Sequence, residues 1–264
     1  CFVSPEATVT ALHWSLAIAA ERGTLRALVI DEAHLVEAWG SGFRSSFQKL
    51  AGVRRELLAA SEGRLRTVLL SATVSEEART LVEVLFSEGG DRFKSVNAAR
   101  LRSEPRYWVA PFSDETERTQ RVLAAVHHLP RPLVLYTTRR SHAELWRERL
   151  QSEGYSRVAI VTGATATADR EAAVRDLAGD RLDIVVGTSA FGLGIDYPHV
   201  RAVVHACLPE SLDRYYQEVG RGGRDGAPCV SLLIPAEADR NDATRLSNET
   251  VISIKRARQR WVAM

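Results

Sequence analysis

The chain has 264 residues, of which 45% are hydrophobic and 26% charged, an ordinary composition for a globular protein with a sizeable core. A net charge of only +2 excludes a globally cationic nucleic-acid-binding body, so any such binding would need a local basic and aromatic surface. The 3 cysteines lack CxxC spacing, and no apolar run reaches about 18 residues, so neither zinc, nor a disulfide framework, nor a membrane span is predicted. We therefore expect a soluble protein of a reducing cytoplasm.

The first part of the chain alternates strand-like and helix-like segments. It begins with Cys1, and residues 2–6 already resemble the end of a buried strand entering a turn, so we expect a piece of a longer polypeptide that contributes further domains. The pattern predicts buried strands at 27–31 and 66–70, a possible strand at 91–97, and helices at 9–22, after Phe43 and at 75–86.

A second alternation of strands and helices follows the segment 98–105. In this segment apolar residues recur at neither helical nor strand spacing, so we expect it to be a linker. The predicted strands are 107–112, 132–136, 158–161, 183–186, 202–205 and 230–234, and the helices are 115–128, a helix from a capping box at Ser141 to Gly154, and one from Thr167. Each half is therefore predicted to be a parallel α/β sheet covered by helices. The predicted divisions are 1–103, 104–236 and a helical extension at 237–264.

An acidic tetrad, Asp31-Glu32-Ala33-His34, ends the first predicted strand. Ligands of open α/β sheets bind beyond the carboxyl ends of the strands, where one carboxylate can hold hydrated Mg²⁺ and another can deprotonate an attacking water. A solvated turn is the alternative interpretation of the Asp-Glu pair. Ser71-Ala72-Thr73 ends the next strand at the same expected edge, and an ordinary helix N-cap is its alternative interpretation.

Two further motifs lie in the second half. The segment from Gly187 to Asp196 holds three glycines within eight residues after a strand, a weak sign of phosphate binding. Arg221 and Arg224 follow a predicted helix and are separated by glycines, so they can neutralise charge on a transferred phosphoryl group. A basic turn that closes the helix is the alternative.

Taken in order, these motifs resemble superfamily 2 helicases of the Asp-Glu-Ala-His (DEAH box) type. Three segments narrow the resemblance to RecQ-like DNA helicases: the aromatic loop Trp39-Gly40-x-x-Phe43-Arg44, the segment Ala190 to Ile195, and the series Tyr216 to Gly226. Ser4-Pro5-Glu6 is similar to motif Ib and Leu133 to Arg139 to motif IV. The resemblance runs from residue 4 to about residue 235.

The resemblance implies two RecA-like lobes in tandem, the first lacking its N-terminal part, with ATP and Mg²⁺ between them. It implies that Asp31 holds Mg²⁺ through water, that Glu32 is the base and that Gln217 lies near the γ-phosphate. Arg221 and Arg224 would be arginine fingers. The remaining nucleotide-site residues implied are Ser71, Thr73, Gly194 and Asp196.

The same resemblance implies single-stranded or partly duplex DNA as the partner and movement from three-prime to five-prime. The residues that would contact the strand are Pro5, Trp39, Phe43, Arg44, Thr162, Gly163 and Thr188.

The sequence departs from the family pattern in three respects. No Gly-x-x-x-x-Gly-Lys-Ser/Thr phosphate loop occurs, so we expect this segment alone to hydrolyse ATP barely or not at all. Ser41, Gly42 and Ser45 replace the usual His, Asp and Pro of the aromatic loop, and the four-cysteine zinc module is missing. A non-catalytic DNA- or partner-binding module and an RNA helicase remain as alternatives.

Overall fold

The computed structural model describes residues 1–36, 45–72, 75–87, 94–98, 100–189, 191 and 199–249. The chain divides into two compact units, one built on Cys1–Ala98 and the other formed by Ala99–Ser247. The division falls at the start of the segment proposed as a linker. Within the described ranges, no helix combines the length and apolar character needed to cross a membrane.

The first unit contains a two-stranded parallel sheet and four α-helices among its described residues. The strands are β1 (Ala27–Ile30) and β2 (Arg66–Leu69), and the helices are α1 (Pro5–Val9), α2 (His13–Glu21), α3 (Ser45–Ala60) and α4 (Glu76–Phe86), with a 3-10 turn at Ala33–Val36. Ile30 lies in one apolar cluster with Leu50 and Phe86, and Leu57 in a second with Ala20. These contacts fix the carboxyl ends of β1 and β2 side by side.

Four predictions for this unit are corrected. Residues 2–4 form no buried strand, because Phe2 is fully exposed and Ser4 instead caps α1 by accepting a hydrogen bond from the Ala7 amide at 3.2 Å. The helix predicted over 9–22 is interrupted between α1 and α2. Strand β1 is only partly buried, since Val29 is 55% exposed on a sheet of two strands. Residues 94–97 are not a strand, and 91–93 lie outside the described residues.

The second unit is built on a six-stranded, wholly parallel sheet in the order β3-β8-β7-β4-β6-β5. The strands are β3 (Pro105–Val109), β4 (Leu133–Tyr136), β5 (Val158–Val161), β6 (Ile184–Gly187), β7 (Ala202–His205) and β8 (Cys229–Leu233). The helices are α5 (Glu115–His128), α6 (Arg140–Ser152), α7 (Thr167–Ala178), α8 (Leu212–Val219) and α9 (Asp239–Glu249). The α/β prediction is confirmed.

Burial in this sheet follows strand position. Every residue of β4, β6 and β7 is buried, whereas edge strand β3 exposes Trp108 by 62% and Val109 by 66%. One local prediction is wrong: α6 starts at Arg140, its N-cap is Arg139, and no side chain caps it, so Ser141 opens no capping box. The start of the predicted tail belongs to this unit, because Asp239 pairs with buried Arg118 at 2.8 Å.

Candidate active site

The acidic tetrad lies where the sheet topology of the first unit places it. The Leu70 amide donates to the Ile30 carbonyl at 2.8 Å, and the Ala33 amide donates back to the Leu70 carbonyl at 2.9 Å. Asp31 and Glu32 therefore lie between two backbone hydrogen bonds that join the ends of β1 and β2. Both carboxylates are exposed, so both are accessible to a hydrated cation or to water.

Glu32 has an unusual backbone conformation, with φ of 54° in the left-handed region. Its amide donates to Asp31 Oδ1 at 2.8 Å, which ties the two acidic residues together. Glu62 and Asp180 share this conformation, but both lie in turns that follow helices, where it is common. At the end of a strand a non-glycine residue in this region carries strain of about 1–3 kcal/mol, and such strain concentrates at functional sites. This favours the catalytic interpretation over the solvated turn.

Ser71 follows β2 at the same sheet edge as the acidic residues. The N-cap of α4 is Ser75, whose hydroxyl accepts a hydrogen bond from the Ala78 amide at 2.9 Å. The N-cap interpretation is therefore wrong for Ser71. Thr73 lies outside the described residues.

The arginine-bearing turn follows α8 in the second unit. A Cβ atom at Gly222 would lie 2.7 Å from Cys229 Sγ, and one at Gly223, where φ is 61°, would lie 2.5 Å from the Ala227 carbonyl oxygen. Position 223 thus requires glycine, and a side chain at position 222 would need a smaller residue than Cys229 on β8. These two glycines separate Arg221 from Arg224. The backbone of this turn is closely packed onto β8 rather than loosely extended into solvent.

The two arginines of this turn differ in their surroundings. Arg224 is exposed, and its Nε donates to the Gly220 carbonyl at 3.2 Å. Arg221 is half-buried, and its Nε is buried without a hydrogen-bond partner in the described part of the chain. An unpaired buried donor on a cation is costly unless an anion satisfies it. Arg118, Arg147 and Arg170 also have a buried Nε without a hydrogen-bond partner among the described residues, so this feature is compatible with phosphate binding at the turn but is not specific to it.

Thr162 and Thr188 are brought together by the sheet. Val161 pairs with Gly187 at the ends of neighbouring strands β5 and β6, and the Thr188 amide donates to the Val161 carbonyl at 3.3 Å. Both threonines are buried, and Thr162 Oγ1 accepts from the Ala164 amide at 3.3 Å. The exposed Gly163 backbone is consequently the more accessible part of this loop for a nucleic-acid phosphate.

Comparison with known proteins relates the chain to helicases. The family described as helicase conserved C-terminal domain matches residues 115–226, which include α5 and the arginine-bearing turn. The probable ATP-dependent DNA helicase RecS of Bacillus subtilis is 33% identical over 215 residues, or 80% of this chain and 41% of that protein. The ATP-dependent DNA helicase RecQ of Haemophilus influenzae is 29% identical over 238 residues, or 90% of this chain and 36% of that protein. The chain carries a RecQ-like helicase region of superfamily 2.

This RecQ-like region spans less than half the length of those two relatives. Among solved structures, S. cerevisiae Dbp5 bound to RNA and ADP BeF3 is similar with a TM-score of 0.62 and 18% identity, covering 90% of this chain and 61% of that one. A DEAD box protein of Methanococcus jannaschii has a TM-score of 0.53 and 19% identity, covering 88% of this chain and 61% of that one. These similarities show that the fold is RecA-like.

Several predicted site residues lie outside the described residues: Trp39, Phe43, Arg44, Thr73, Gly194 and Asp196. Pro5 is described, and it opens α1 directly after the Ser4 cap. Gln217 lies half-buried on α8, four residues before Arg221. The assignments of roles to all of these residues stay predictions.

The described residues of the RecQ-like region fit ATP and Mg²⁺ in complementary ways. The unpaired Arg221 Nε suits a phosphate oxygen, and exposed Asp31 suits a magnesium ion that retains most of its waters. Among the described residues, no group of at least three His, Cys, Asp or Glu side chains is arranged to hold a metal ion.

Sequence reasoning missed a buried polar network beneath α8. Glu218 Oε2 lies within hydrogen-bond distance of His205 Nε2, at 2.9 Å, and Glu218 Oε1 forms an ion pair with Arg214 Nε at 3.1 Å. The His205 ring stacks on Tyr136. His205 is fully buried at the end of β7. The sequence could have indicated this network, because a polar residue such as His205 at the end of an apolar strand needs a buried hydrogen-bond partner.

Proposed function

We propose that the natural protein carrying this RecQ-like region is an ATP-dependent DNA helicase or translocase. The observation that carries the proposal is the closely packed turn that holds Arg221 and Arg224, with the Arg221 Nε buried and unpaired in the described part of the chain. Such a donor set suits charge that develops on a transferred phosphoryl group. The names of the relatives, ATP-dependent DNA helicases, support the same reaction and a DNA substrate.

Each described residue then has a specific role. Asp31 would hold Mg²⁺ through water, and a bound Mg²⁺ would supply positive charge next to the phosphates. Glu32 accepts a proton from the attacking water, while Gln217 contacts the terminal phosphate. Arg221 and Arg224 stabilise charge on the transferred group. Ser71, with Thr73, Gly194 and Asp196, completes the proposed nucleotide site.

We further propose that single-stranded DNA is held by Pro5, Thr162, Gly163 and Thr188, with base stacking from Trp39, Phe43 and Arg44. Movement from three-prime to five-prime is proposed, by resemblance to the family. Strand displacement from duplexes with either a 3′ or a 5′ overhang measures this direction. Displacement that requires the 5′ overhang would contradict it.

Substitution Glu32→Gln tests the catalytic assignment in the natural protein. The variant should lose DNA-stimulated ATP hydrolysis by about a hundredfold or more while retaining nucleotide binding, because an amide cannot accept the proton. Glu62→Gln is a matched control, since Glu62 is an exposed glutamate with φ of 52°. Persistent turnover in Glu32→Gln would contradict the role of Glu32.

The same phosphate-release assay separates the alternatives. Wild-type protein without turnover would support the non-catalytic binding module, and stimulation by single-stranded RNA rather than DNA would support an RNA helicase. The isolated 264-residue chain should show little or no turnover, because it contains no phosphate-loop sequence.

A further inference from the structure

Arg102 contacts the arginine-bearing turn from the segment that follows the division between the two units. Its guanidinium donates to three carbonyl oxygens of the turn: Nη1 to Gly220 at 2.8 Å and to Gly222 at 3.0 Å, and Nη2 to Gly223 at 2.6 Å. Arg102 Nε lies 3.4 Å from a carboxylate oxygen of Glu104. One side chain therefore bonds to three of the four backbone carbonyls between Gly220 and Gly223.

These carbonyls are natural ligands for a cation. Helix α8 ends at Val219, and the carbonyls at a helix C-terminus lack intrahelical partners and carry partial negative charge. The glycines of the turn add more flexibility, because glycine populates many backbone conformations equally well. A planar guanidinium that bonds to three of the carbonyls removes much of that freedom.

The rest of the connecting segment is attached to the same region. The Tyr216 hydroxyl donates to the Arg100 carbonyl at 3.2 Å, and the Cys229 amide donates to the Glu104 carbonyl at 2.9 Å. Residues 100–104 thus lie along α8 and β8, and Arg102 is held at the centre of this contact.

We propose that Arg102 is a positioning residue, which fixes the backbone on both sides of Gly222 and Gly223 and so sets the places of Arg221 and Arg224. The proposal rests on the function proposed above, in which these two arginines act on the phosphoryl group. Within the described part of the chain, the polar contacts of the Arg102 side chain are with backbone carbonyls and Glu104, which distinguishes its role from theirs.

The structural half of the proposal is tested by amide hydrogen exchange on the 264-residue chain. The amides of Gly222, Gly223 and Gly226 donate to backbone carbonyls at 2.9, 3.0 and 3.1 Å, so the wild-type turn should exchange slowly. Arg102→Ala should increase the rate of amide exchange in 220–226 by about tenfold or more. Arg102→Lys keeps the positive charge but loses the planar guanidinium, so its exchange rate should lie between those of wild type and Arg102→Ala. Unchanged exchange in Arg102→Ala would overturn the proposal.

Arg106→Ala is the matched control for this experiment. Arg106 is an exposed arginine four residues further along the chain, and it has no side-chain hydrogen bond or ion pair within the described ranges. This variant should leave exchange in 220–226 unchanged. Equal acceleration in both variants would indicate general loosening of the unit and would also overturn the proposal.

The functional half is tested in the natural protein. Arg102→Ala should lower kcat by about a hundredfold with KM for ATP nearly unchanged, because misplacement by about 1 Å of groups that act in the transition state has an effect of that size. Millimolar guanidinium should restore part of the kcat of this variant, whereas methylammonium should not. If Arg102→Ala lowered kcat only because less protein is folded, guanidinium and methylammonium would not differ in their effect on kcat.

The two experiments separate the proposals. A wild-type protein without ATP hydrolysis would refute the proposed function, while the exchange measurement would still decide whether Arg102 holds the turn. Faster exchange in Arg102→Ala combined with an unchanged kcat would overturn the positioning role and leave the proposed function intact.

Discussion

Asp225, the residue after Arg224, anchors the far end of the arginine-bearing turn. Its Oδ1 accepts a hydrogen bond from Arg201 Nη1 at 3.1 Å, its Oδ2 lies 3.2 Å from His199 Nδ1, and its Oδ1 also accepts from the Ala227 amide at 3.2 Å. The Arg201 hydrogen bond is the chief cause that holds the pKa of Asp225 far below its ordinary value. The turn is thus fixed at one end by Arg102 and at the other by Asp225.

A depressed pKa makes the contribution of Asp225 depend on pH. It stabilises the folded state above the unfolded-state pKa of about 3.9, and this stabilisation is lost as pH falls through the lower folded-state pKa. Asp225→Asn should therefore lower the Tm of the chain at pH 7, and its difference from wild type should narrow below about pH 4. Thermal unfolding across a pH series measures this.

Asp213→Asn is the control for that series, because Asp213 is an exposed aspartate on α8 that forms no ion pair with the described residues. A difference between Asp225→Asn and wild type that stays constant from neutral to acidic pH would contradict the electrostatic explanation.

At the scale of elements, α8 is held by the buried network centred on Glu218. Glu218 fixes the rotation of the helix against β7 through His205, and the Tyr215 hydroxyl lies 2.9 Å from Ser231 Oγ on β8. Burial is also the main cause that raises the pKa of Tyr215, which keeps this phenol neutral. The orientation of Gln217, the preceding residue on α8, follows from that rotation.

Glu218→Ala should destabilise the chain by roughly 3–5 kcal/mol, because its removal leaves the buried His205 and the half-buried Arg214 without their shared partner. Urea unfolding measures the loss. Glu144→Ala, which truncates an exposed glutamate in α6, should change the unfolding free energy by less than about 0.5 kcal/mol. Equal effects of the two substitutions would show that the Glu218 network contributes little.

The elements that sequence predicts best are those determined by local signals. Helix α5 has the predicted bounds, because Asp114 caps it by accepting from the Glu117 amide at 2.8 Å and its apolar residues recur at helical spacing. The capping box predicted at Ser141 is absent, since the N-cap of the helix is Arg139, two residues closer to the N-terminus. Where no side chain caps the first turn, as at α6, local sequence leaves the start of a helix uncertain by one or two residues.

Arg102 shows why much of the site was not predictable. Its partners lie 118 to 121 residues later in the chain, and nothing in the segment 98–105 indicates them. The same holds for Glu218 and His205, whose pairing depends on the order of strands in the sheet. The acidic edge was predictable because both of its strands end in polar residues and lie parallel.

At the scale of the whole molecule, the two units differ in how completely they bury their sheets. The second unit covers its central strands fully, whereas the two-stranded sheet of the first exposes Val29, Val68 and Leu70 by 55, 43 and 47%. Two strands alone are marginal in water. The core of the second unit is therefore the stronger candidate for independent folding.

Residues 99–247 expressed alone should unfold cooperatively in urea and retain near-ultraviolet circular dichroism. Residues 1–98 expressed alone should show neither property, because too little of their apolar surface is covered. Cooperative unfolding of 1–98, or its absence in 99–247, would contradict this assignment of stability.

The contact between Gly222 and Cys229 has a consequence for how the sequence of this protein can change. A methyl group at position 222 would meet Cys229 Sγ at 2.7 Å, so alanine there is accommodated only if the residue on β8 becomes smaller. Gly222→Ala alone is expected to destabilise the chain, whereas Gly222→Ala is expected to be tolerated when Cys229→Ala has already removed the obstructing sulfur. Alanine at position 222 is therefore expected to arise in evolution only after the residue at position 229 has become smaller.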